Sequence, residues 1–455
     1  MPDLDALLAD LGGIETETDP VVVRLKSRDF FWFSPILKAE LEGRRGDLVI
    51  RPRAEDEVLA ALGACVRHRV PVTPRGGGTG NYGQAVPVAG GAILDLTGMD
   101  RMLALENGIA EVEAGATLLQ IDAWARGLGW ELRLWPSTKR MATIGGFVAG
   151  GGAGVGGIAW GTLRERGNLA GVTIATAEAS PRLIALEGRE AAQANHAFGT
   201  TGIITRVRIP LAPAVAWRDL AIAFPDFDRA ARFAAAFGLA DGIAKKLCSV
   251  IDWPLPSYFK GLEEVVPEGR PLVLAMVSPS GLAATRDLAD EHDGTIVAEQ
   301  ETIAAEQHHD RTPFYEYAWN HTTLHVLKRA KGVTYLQLLF PPDRLLESLA
   351  AFRDRFAGEA WLHTEVGRFS GRVTMSALPV VRWQGAERLA EMIATCEAMG
   401  IQVANPHVYT LEEGARWKLV AADRLAFKRR VDPWGLLNPG KMTSYVPVSE
   451  DEVAG

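Results

Sequence analysis

Cysteine is scarce in this sequence of 455 residues. Cys65, Cys248 and Cys396 are odd in number, and no Cys-x-x-Cys pair occurs. A disulfide framework and a zinc site built on paired cysteines are therefore both disfavoured. So few cysteines are typical of a protein from a reducing compartment, and we expect a cytoplasmic location.

Clustered positive charge and signal-peptide features are also lacking. The formal net charge is −8, which disfavours nucleic acid or an anionic membrane as a main partner. The first residues, Met1 to Asp5, lack the basic region and the apolar run of a signal peptide. An uncharged stretch spans 141–163, but nine of its 23 residues are glycine, and each costs about 1 kcal/mol relative to alanine in a helix. We predict no transmembrane segment.

The apolar pattern divides the chain into two regions. Over the first 210 residues strands and helices alternate, with a helix predicted at 54–69 and a strand at 70–73. The second region is predicted to contain strands at 216–224, 272–277, 295–298, 333–340, 360–366 and 373–377, with helices at 227–237, 283–291, 344–355 and 386–398. This order predicts an α+β domain built on one antiparallel sheet.

Two glycine-rich stretches stand in the first half. The first glycine loop is 75–80, and the second stretch has eleven glycines between Met141 and Gly171. Glycine lets successive backbone N–H groups point into one concavity and bind phosphate oxygens. The two G-x-G-x-x-G matches, 78–83 and 152–157, open no predicted helix, so a nicotinamide site is disfavoured. For either stretch alone, a turn that binds nothing remains an alternative.

Six motifs then occur in order: Pro74 to Gly80, Pro136-Ser137-Thr138, Ala142 to Gly146, Trp160 to Glu165, Phe198 to Thr205 and Asp432 to Lys441. Together they resemble the flavin-binding domain of the vanillyl-alcohol oxidase and p-cresol methylhydroxylase (PCMH) superfamily. The branch with FAD-linked D-lactate dehydrogenases and the glycolate oxidase flavin subunit is the most similar.

The resemblance implies an α+β fold class. A PCMH-type FAD-binding domain of two α/β subdomains would span 1–214. An α+β cap domain with an antiparallel sheet, which would receive the substrate, would span 215–400. The segment 401–455 would return to the flavin.

The resemblance also implies which residues bind FAD. The first glycine loop would hold the pyrophosphate, the second stretch would wrap pyrophosphate, ribityl chain and ring, and Asn438 and Lys441 would lie near the isoalloxazine. The implied set is Pro74, Arg75, Gly76, Gly77, Gly78, Thr79, Gly80, Asn81, Pro136, Ser137, Thr143, Ile144, Gly145, Gly146, Ala149, Gly150, Gly152, Gly156, Trp160, Gly161, Leu163, Gly202, Ile203, Ile204, Asn438 and Lys441. Covalent members often carry a histidine in the first loop, and 75–79 has none, so non-covalent FAD is expected.

Oxidation of an alcohol needs a base for the hydroxyl proton and an anchor for the rest of the substrate. His321 and His407, then His363, are the candidate bases, and Tyr409 lies near His407. Arg368 is the candidate carboxylate anchor because its planar fork suits two oxygens. A helix over 315–325 would align Tyr317, His321 and His325. For any single histidine, a structural role is the alternative.

The metal motif of the D-lactate branch is missing. Where H-x-G-D-G-N-x-H is expected, the sequence reads His363-Thr364-Glu365-Val366-Gly367, and Leu411-Glu412-Glu413-Gly414 stands where Glu-His-Gly would be expected. We predict no bound metal ion.

The function implied is an FAD-dependent oxidoreductase that oxidises a small hydroxylated substrate by hydride transfer to the flavin. A 2-hydroxy acid is the first candidate, and a phenolic or aryl alcohol is the second. A third alternative is an FAD-carrying electron-relay subunit without its own substrate. The electron acceptor (oxygen, a quinone or an electron-transfer protein) and the oligomeric state, for which a homodimer is the candidate, stay open.

Overall fold

The computed structural model describes residues 3–308, 310–414 and 420–448. Its first sheet contains β1 (Glu15–Glu17), β2 (Leu48–Arg51), β3 (Val72–Arg75) and β4 (Ala92–Asp95), in the order β1-β2-β4-β3. Strands β2, β4 and β3 are parallel, and β1 is antiparallel at the edge. The helices of this part are α1 (Leu4–Leu11), α2 (Pro20–Lys26), α3 (Pro35–Leu41) and α4 (Glu55–Arg67). The buried face of α4 includes Val58, Leu62 and Cys65, as its apolar spacing predicts.

The second sheet is antiparallel. It contains β5 (Met102–Glu106), β6 (Ile109–Glu113), β7 (Trp130–Leu132), β8 (Gly171–Ala175), β9 (Leu183–Glu187) and β10 (Ile203–Pro213). The long strand β10 pairs with β6, β7 and β8, so it holds this sheet together. The helices are α5 (Leu118–Arg126), α6 (Ile144–Gly150) and α7 (Gly157–Trp160). The uncharged stretch 141–163 thus contains only two short helices, and in the described chain no helix has the length and apolar character to cross a membrane.

The cap region follows β10. Its strands are β11 (Arg218–Ala223), β12 (Lys245–Ile251), β13 (Leu272–Val277), β14 (Thr295–Glu301), β15 (Val333–Tyr335), β16 (Leu338–Leu339), β17 (Ala360–Trp361), β18 (His363–Phe369), β19 (Arg372–Ala377), β20 (Val380–Arg382) and β21 (Gln402–Val403). Eight of them form an antiparallel sheet in the order β14-β11-β13-β12-β18-β19-β16-β21, and the other three form a small sheet, β15-β20-β17. The helices are α8 (Phe227–Leu239), α9 (Leu282–Asp290), α10 (Thr302–Gln307), α11 (Asn320–Arg329), α12 (Leu345–Arg355) and α13 (Ala386–Ala398).

Three details of the predicted cap are wrong. There are two sheets instead of one, and the predicted strands 333–340 and 360–366 are each divided between them. The residues at the divisions, Leu336 and Leu362, are fully buried, so an apolar pattern runs through a change of sheet without a break. The helix predicted over 315–325 is also interrupted: a 3₁₀ turn ends at Tyr317, and α11 begins only at Asn320.

The last helix, α14 (Ala422–Val431), leads back to the first sheet. Leu437 forms a parallel bridge with Val72, and the Asn438 backbone N–H donates to the Val72 carbonyl over 2.8 Å. The domain limits stay predictions. The limit at 400 excludes β21, which pairs with β16, so the cap sheet reaches Val403; part of the predicted segment 401–455 lies outside the described residues.

Buried charges connect the second-sheet region to the cap. The Lys139 ammonium donates to the Asp122 carboxylate over 2.8 Å and to the Glu306 carboxylate over 2.7 Å, and all three side chains are buried. The Tyr315 hydroxyl also donates to Glu306, over 2.8 Å. Removal of one partner from such a buried set leaves an uncompensated charge. These contacts therefore hold the cap against the region of the second sheet.

Candidate functional site

A cavity of about 540 Å³ lies between the glycine-rich stretches and the cap, within the size range of cofactor and ligand pockets. Of the residues implied by the resemblance, its lining includes Pro74, Arg75, Gly76, Gly77, Gly78, Thr79, Gly80, Asn81, Pro136, Ser137, Thr143, Gly145, Gly146, Ala149, Gly150, Gly152 and Ile204. The structure thus brings the first glycine loop, the Pro136-Ser137 segment and α6 to one concave surface.

The glycines of the first loop allow close contact with the second stretch. A Cβ atom at Gly76 would lie 2.0 Å from Thr143 Oγ1, and one at Gly77 would lie 2.0 Å from the Met141 carbonyl oxygen. Gly78 has φ +64°, a conformation that favours glycine. Within the described chain, the backbone N–H groups of Gly77, Gly78 and Thr79 donate no hydrogen bond. They are donors available to a ligand in the cavity.

The second stretch presents its backbone through α6. Thr143 caps this helix by accepting a hydrogen bond from the Gly146 N–H over 3.3 Å. Gly145 packs where a Cβ would lie 2.7 Å from the Ala114 side chain, whereas a Cβ at Gly150 would meet no atom within 4 Å. Gly145 therefore serves protein packing, while Gly150 leaves room in the cavity.

This cavity fits FAD by its own features. It is enclosed by two glycine-rich backbones, it offers backbone donors that suit a pyrophosphate, and Leu96, Ala114 and Ile204 give it an apolar surface suited to an aromatic base. Backbone donors together with an apolar pocket are what a flavin dinucleotide requires of its site.

Nine residues of the implied set lie outside the cavity lining: Ile144, Gly156, Trp160, Gly161, Leu163, Gly202, Ile203, Asn438 and Lys441. Gly156 has φ +96° and packs against the Arg133 carbonyl, which explains the glycine without a ligand. The Asn438 side-chain amide donates to the carbonyls of Gln84 and Phe198 over 2.9 and 2.7 Å. Both of these residues line the cavity, so Asn438 supports the cavity wall from behind.

Lys441 is also behind the wall. Its ammonium donates to the Gly83 carbonyl over 2.6 Å and lies 4.6 Å from the centroid of the Tyr409 ring. Burial lowers the pKa of Lys441 to about 7, while the nearby Asp29 carboxylate opposes this shift. Burial likewise raises the pKa of Asp29 to about 6. Tyr409 itself does not line the cavity.

Of the candidate bases, His321 lines the cavity. Its Nδ1 lies 3.2 Å from the Glu316 carbonyl oxygen, which fits a donated Nδ1–H and leaves Nε2 as the acceptor. Burial lowers the pKa of His321 to about 4, with a smaller contribution from His325. The imidazole is therefore neutral at pH 7 and able to accept a proton.

The other two histidines are engaged in the protein. His407 Nδ1 lies 2.7 Å from Ser34 Oγ and its Nε2 lies 2.8 Å from the Tyr335 carbonyl, so both nitrogens have partners. His363 is fully buried, and its Nε2 donates to Glu365 over 2.7 Å. Neither residue lines the cavity. Their geometry does not suit the role of base.

Arg368 does not occupy the predicted anchor position. Its guanidinium pairs with Asp241 over 2.9 Å, and it lies outside the cavity lining. Arg164 was not among the candidates, yet it lines the cavity together with Phe369. Among the described residues, the Arg164 side chain makes no hydrogen bond and no ion pair. The motif Trp160 to Glu165 pointed to this segment but not to this side chain.

The sequence also did not predict the unusual backbone conformation of Trp319. Trp319 lines the cavity with φ 53° and ψ −142°, a region that is essentially restricted to glycine. Such a conformation costs about 1–3 kcal/mol and persists only where the surroundings enforce it. Here the Trp319 N–H donates to Glu365 over 2.6 Å. Glu365 also accepts from Ser249 and His363, over 2.5 and 2.7 Å.

Within the described residues, no three His, Cys, Asp or Glu side chains converge as a metal site. His363 and Glu365 are adjacent, but His321, His325 and His407 are not grouped with them. The prediction that no metal is used remains to be tested. We expect activity to survive EDTA at full rate, and a loss that added metal restores would contradict this.

Residues 46–181 match a family model described as an FAD binding domain. This match covers both glycine-rich stretches of the cavity. Residues 46–181 are an FAD-binding domain. The predicted resemblance to the PCMH-type flavoproteins is thereby confirmed for this domain, as is FAD as the cofactor.

Three relatives that match part of this chain are named as an oxidase or a dehydrogenase. A glycolate oxidase subunit of Bacillus subtilis is 35% identical over 121 residues, which are 26% of each chain. A D-lactate dehydrogenase of Archaeoglobus fulgidus is 32% identical over 200 residues, 40% of this chain and 43% of that one. A probable mitochondrial D-2-hydroxyglutarate dehydrogenase of Oryza sativa is 31% identical over 176 residues, 37% of this chain and 31% of that one. The chain thus spans less than half the length of the relatives it matches.

Among solved structures, an alkyldihydroxyacetonephosphate synthase superposes with a TM-score of 0.71 at 14% identity, over 95% of this chain and 85% of that one. The FAD-binding domain and the cap together therefore have the overall fold of that protein. The predicted α+β, PCMH-type fold class is confirmed.

Proposed function

We propose that this protein is an FAD-dependent oxidoreductase that oxidises the CH–OH group of a 2-hydroxy acid. The observation that carries the proposal is His321, a neutral imidazole on the wall of the cavity that the FAD-binding domain shares with the cap. The relatives' names support the substrate class, since glycolate, D-lactate and D-2-hydroxyglutarate are all 2-hydroxy acids.

The residues of this chain divide the work as follows. FAD, when bound, supplies the two-electron acceptor for the carbon–hydrogen bond. His321 Nε2 accepts the hydroxyl proton, because Nδ1 is committed to the Glu316 carbonyl. Arg164 binds the substrate carboxylate, since its guanidinium lines the cavity, has no hydrogen-bond or ion-pair partner among the described residues and offers two parallel donors.

The proposal is tested by mixing the purified yellow protein with a panel of alcohols under anaerobic conditions. A 2-hydroxy acid is expected to bleach the flavin absorbance within one turnover, and Arg164→Met should weaken that substrate's KM about tenfold or more, because a charge-assisted contact is lost. Bleaching by aryl alcohols alone would favour the second candidate, which the aromatic residues of the cap side support. If no compound bleaches the flavin, the remaining candidate is an electron-relay subunit without its own substrate.

FAD is proposed to be bound without a covalent link. The first glycine loop contains no histidine. Acid precipitation is expected to release all of the flavin into the supernatant, and absorbance of the pellet at visible wavelengths checks this. A yellow pellet would contradict it. The electron acceptor is proposed to be oxygen, a quinone or an electron-transfer protein, and the scarcity of cysteine supports a cytoplasmic location.

A further inference from the structure

We propose that the cap side of the cavity is a subsite for the substrate's side chain, and that this side chain is uncharged and bulky, either aromatic or branched aliphatic. The inference rests on the proposed oxidation of a 2-hydroxy acid and specifies its substrate class. Glu365 is inferred to be the positioning residue of this subsite. It acts through Trp319 rather than by contact with the substrate.

The first support is the composition of the wall. Six side chains that line the cavity also pack in one hydrophobic cluster, which we term the aromatic wall; Trp319, Leu324 and Leu378 come from the cap, and Phe30, Phe33 and Tyr82 face them from the FAD-binding part. None of the six is charged. Aromatic and aliphatic carbon of this kind stabilises a bound apolar group by removing it from water.

The second support is the placement of charge. The arginines among the described residues that line the cavity are Arg75 and Arg164. The Arg75 Nη1 group donates to the carbonyls of Lys26 and Arg28, over 2.8 and 2.5 Å, which holds this guanidinium at the first glycine loop. Arg164 is the arginine that we assign to the substrate carboxylate. None of the side chains of the aromatic wall is cationic, so a second carboxylate placed there would have no ionic partner, which disfavours dicarboxylic substrates.

The third support is the enforced position of Trp319. Its backbone occupies a conformation closed to most side chains, and the Glu365 carboxylate holds its N–H. Glu365 lies directly opposite Ser376 across β18 and β19, and Ser376 lines the cavity. A bulky residue held at such a place, in the lining of the cavity, indicates a function that requires its indole there.

The fourth support is a set of polar atoms beside the indole. Both side-chain atoms of Asn320, its Oδ1 and Nδ2, are buried without a hydrogen bond to any described residue, and so are Trp319 Nε1 and Ser376 Oγ. Asn320 and Ser376 line the cavity. Buried polar groups normally have partners. A carboxamide that can both donate and accept is suited to an uncharged polar group, such as the substrate's hydroxyl.

The test measures binding separately from turnover. The oxidised holoprotein is titrated with three 2-oxo acids, phenylpyruvate, pyruvate and 2-oxoglutarate, which resemble the products and carry no hydrogen to transfer. The dissociation constants come from the change in the visible flavin spectrum, with calorimetry as a second measurement. Phenylpyruvate is expected to bind at least about tenfold more tightly than pyruvate, and 2-oxoglutarate is expected to bind most weakly.

Substitutions at Trp319 and Glu365, with one control variant, separate the subsite from general stability. Trp319→Gly should abolish the preference for phenylpyruvate while the FAD content stays unchanged, because glycine adopts this backbone conformation without strain and only the indole is lost from the cavity wall. Glu365→Ala should weaken the same preference, and Glu365→Gln, which retains one acceptor oxygen, should restore part of it. Asp252→Asn is the control, because Asp252 is a buried cap carboxylate that pairs with the half-buried Arg353 and lies outside the cavity lining; it should leave the preference unchanged.

The outcomes are distinguishable from those of the proposed function. A panel that shows no bleaching, combined with a persistent preference for phenylpyruvate, would defeat the proposed oxidation and leave the subsite standing. Equal binding of the three probes, tighter binding of 2-oxoglutarate, or binding of none of them would overturn the subsite. So would a Trp319→Gly variant that keeps the preference of the unmodified protein.

Discussion

Gly77→Ala is expected to give a folded protein that purifies without its flavin. The added Cβ would lie 2.0 Å from the Met141 carbonyl oxygen, and this backbone atom can move away only if the second stretch moves. The first glycine loop would then lose the position from which its N–H groups face the cavity. FAD content per protein should fall by about tenfold or more, measured from the ratio of visible to ultraviolet absorbance.

The close approach of Gly77 to the Met141 carbonyl oxygen also affects how a charged substitution at Gly77 is interpreted. Gly77→Asp would add repulsion of a pyrophosphate, but its Cβ alone already collides with the backbone, so Gly77→Ala is the sharper experiment. Gly43→Ala is the matched control, because a Cβ there meets no atom within 4 Å and Gly43 does not line the cavity. Far-ultraviolet circular dichroism should be near that of the unmodified protein for both variants. Full flavin content in Gly77→Ala would show that the loop does not bind the cofactor.

His321→Ala is expected to lower kcat by about 10² to 10⁴, the usual contribution of a positioned general base. The loss should appear in the rate of anaerobic flavin bleaching, with FAD content unchanged. His325→Ala is the matched control, one helical turn away on α11. Burial lowers the pKa of His325 to about 4 as well, and its ring packs 5.0 Å from that of Tyr317, but His325 does not line the cavity. An equal loss in both variants would indicate disruption of α11 rather than loss of a base.

The pH dependence provides an independent check on His321. A base must be unprotonated to accept a proton, so kcat/KM should rise as pH increases through the pKa of the free enzyme. Burial places that pKa at about 4 rather than at 6.5. His321 is therefore expected to cause no change in activity between about pH 5.5 and 8 and to lower it only toward pH 4. A half-maximal point near pH 6.5 that is lost in His321→Ala would contradict the burial of this imidazole.

The local apolar pattern predicted individual helices and strands well. The helix predicted at 386–398 is α13, and the strand predicted at 272–277 is β13, both with the predicted limits. The apolar period of α13 matches one buried face, and β13 is an unbroken apolar run that is buried at every position, so neither pattern needs information about partners. The glycine-rich stretches were similarly informative, because so many glycines are costly in chain entropy unless backbone must approach something closely.

The candidate chemistry was harder to predict. His321, His363 and His407 carry equivalent sequence signals, yet one lines the cavity and the other two are bonded within the protein. Arg368 and Arg164 differ in the same way, since one pairs with Asp241 and the other faces the cavity. Which partner a polar side chain finds depends on elements that are distant in the sequence, and a single sequence does not show those distances.

By itself, the sequence determined that this chain carries an FAD-binding domain followed by an α+β cap. Ordered glycine motifs and apolar periods are local properties, so they could be read without knowing how the parts meet. Only the tertiary structure decided that the cap sheet divides in two, that the Asp432 to Lys441 motif supports the cavity from behind, and that Glu365 holds Trp319 at the cavity. These features arise from contacts between residues far apart along the chain, such as the 2.6 Å bond from the Trp319 N–H to Glu365. Local spacing cannot encode such contacts.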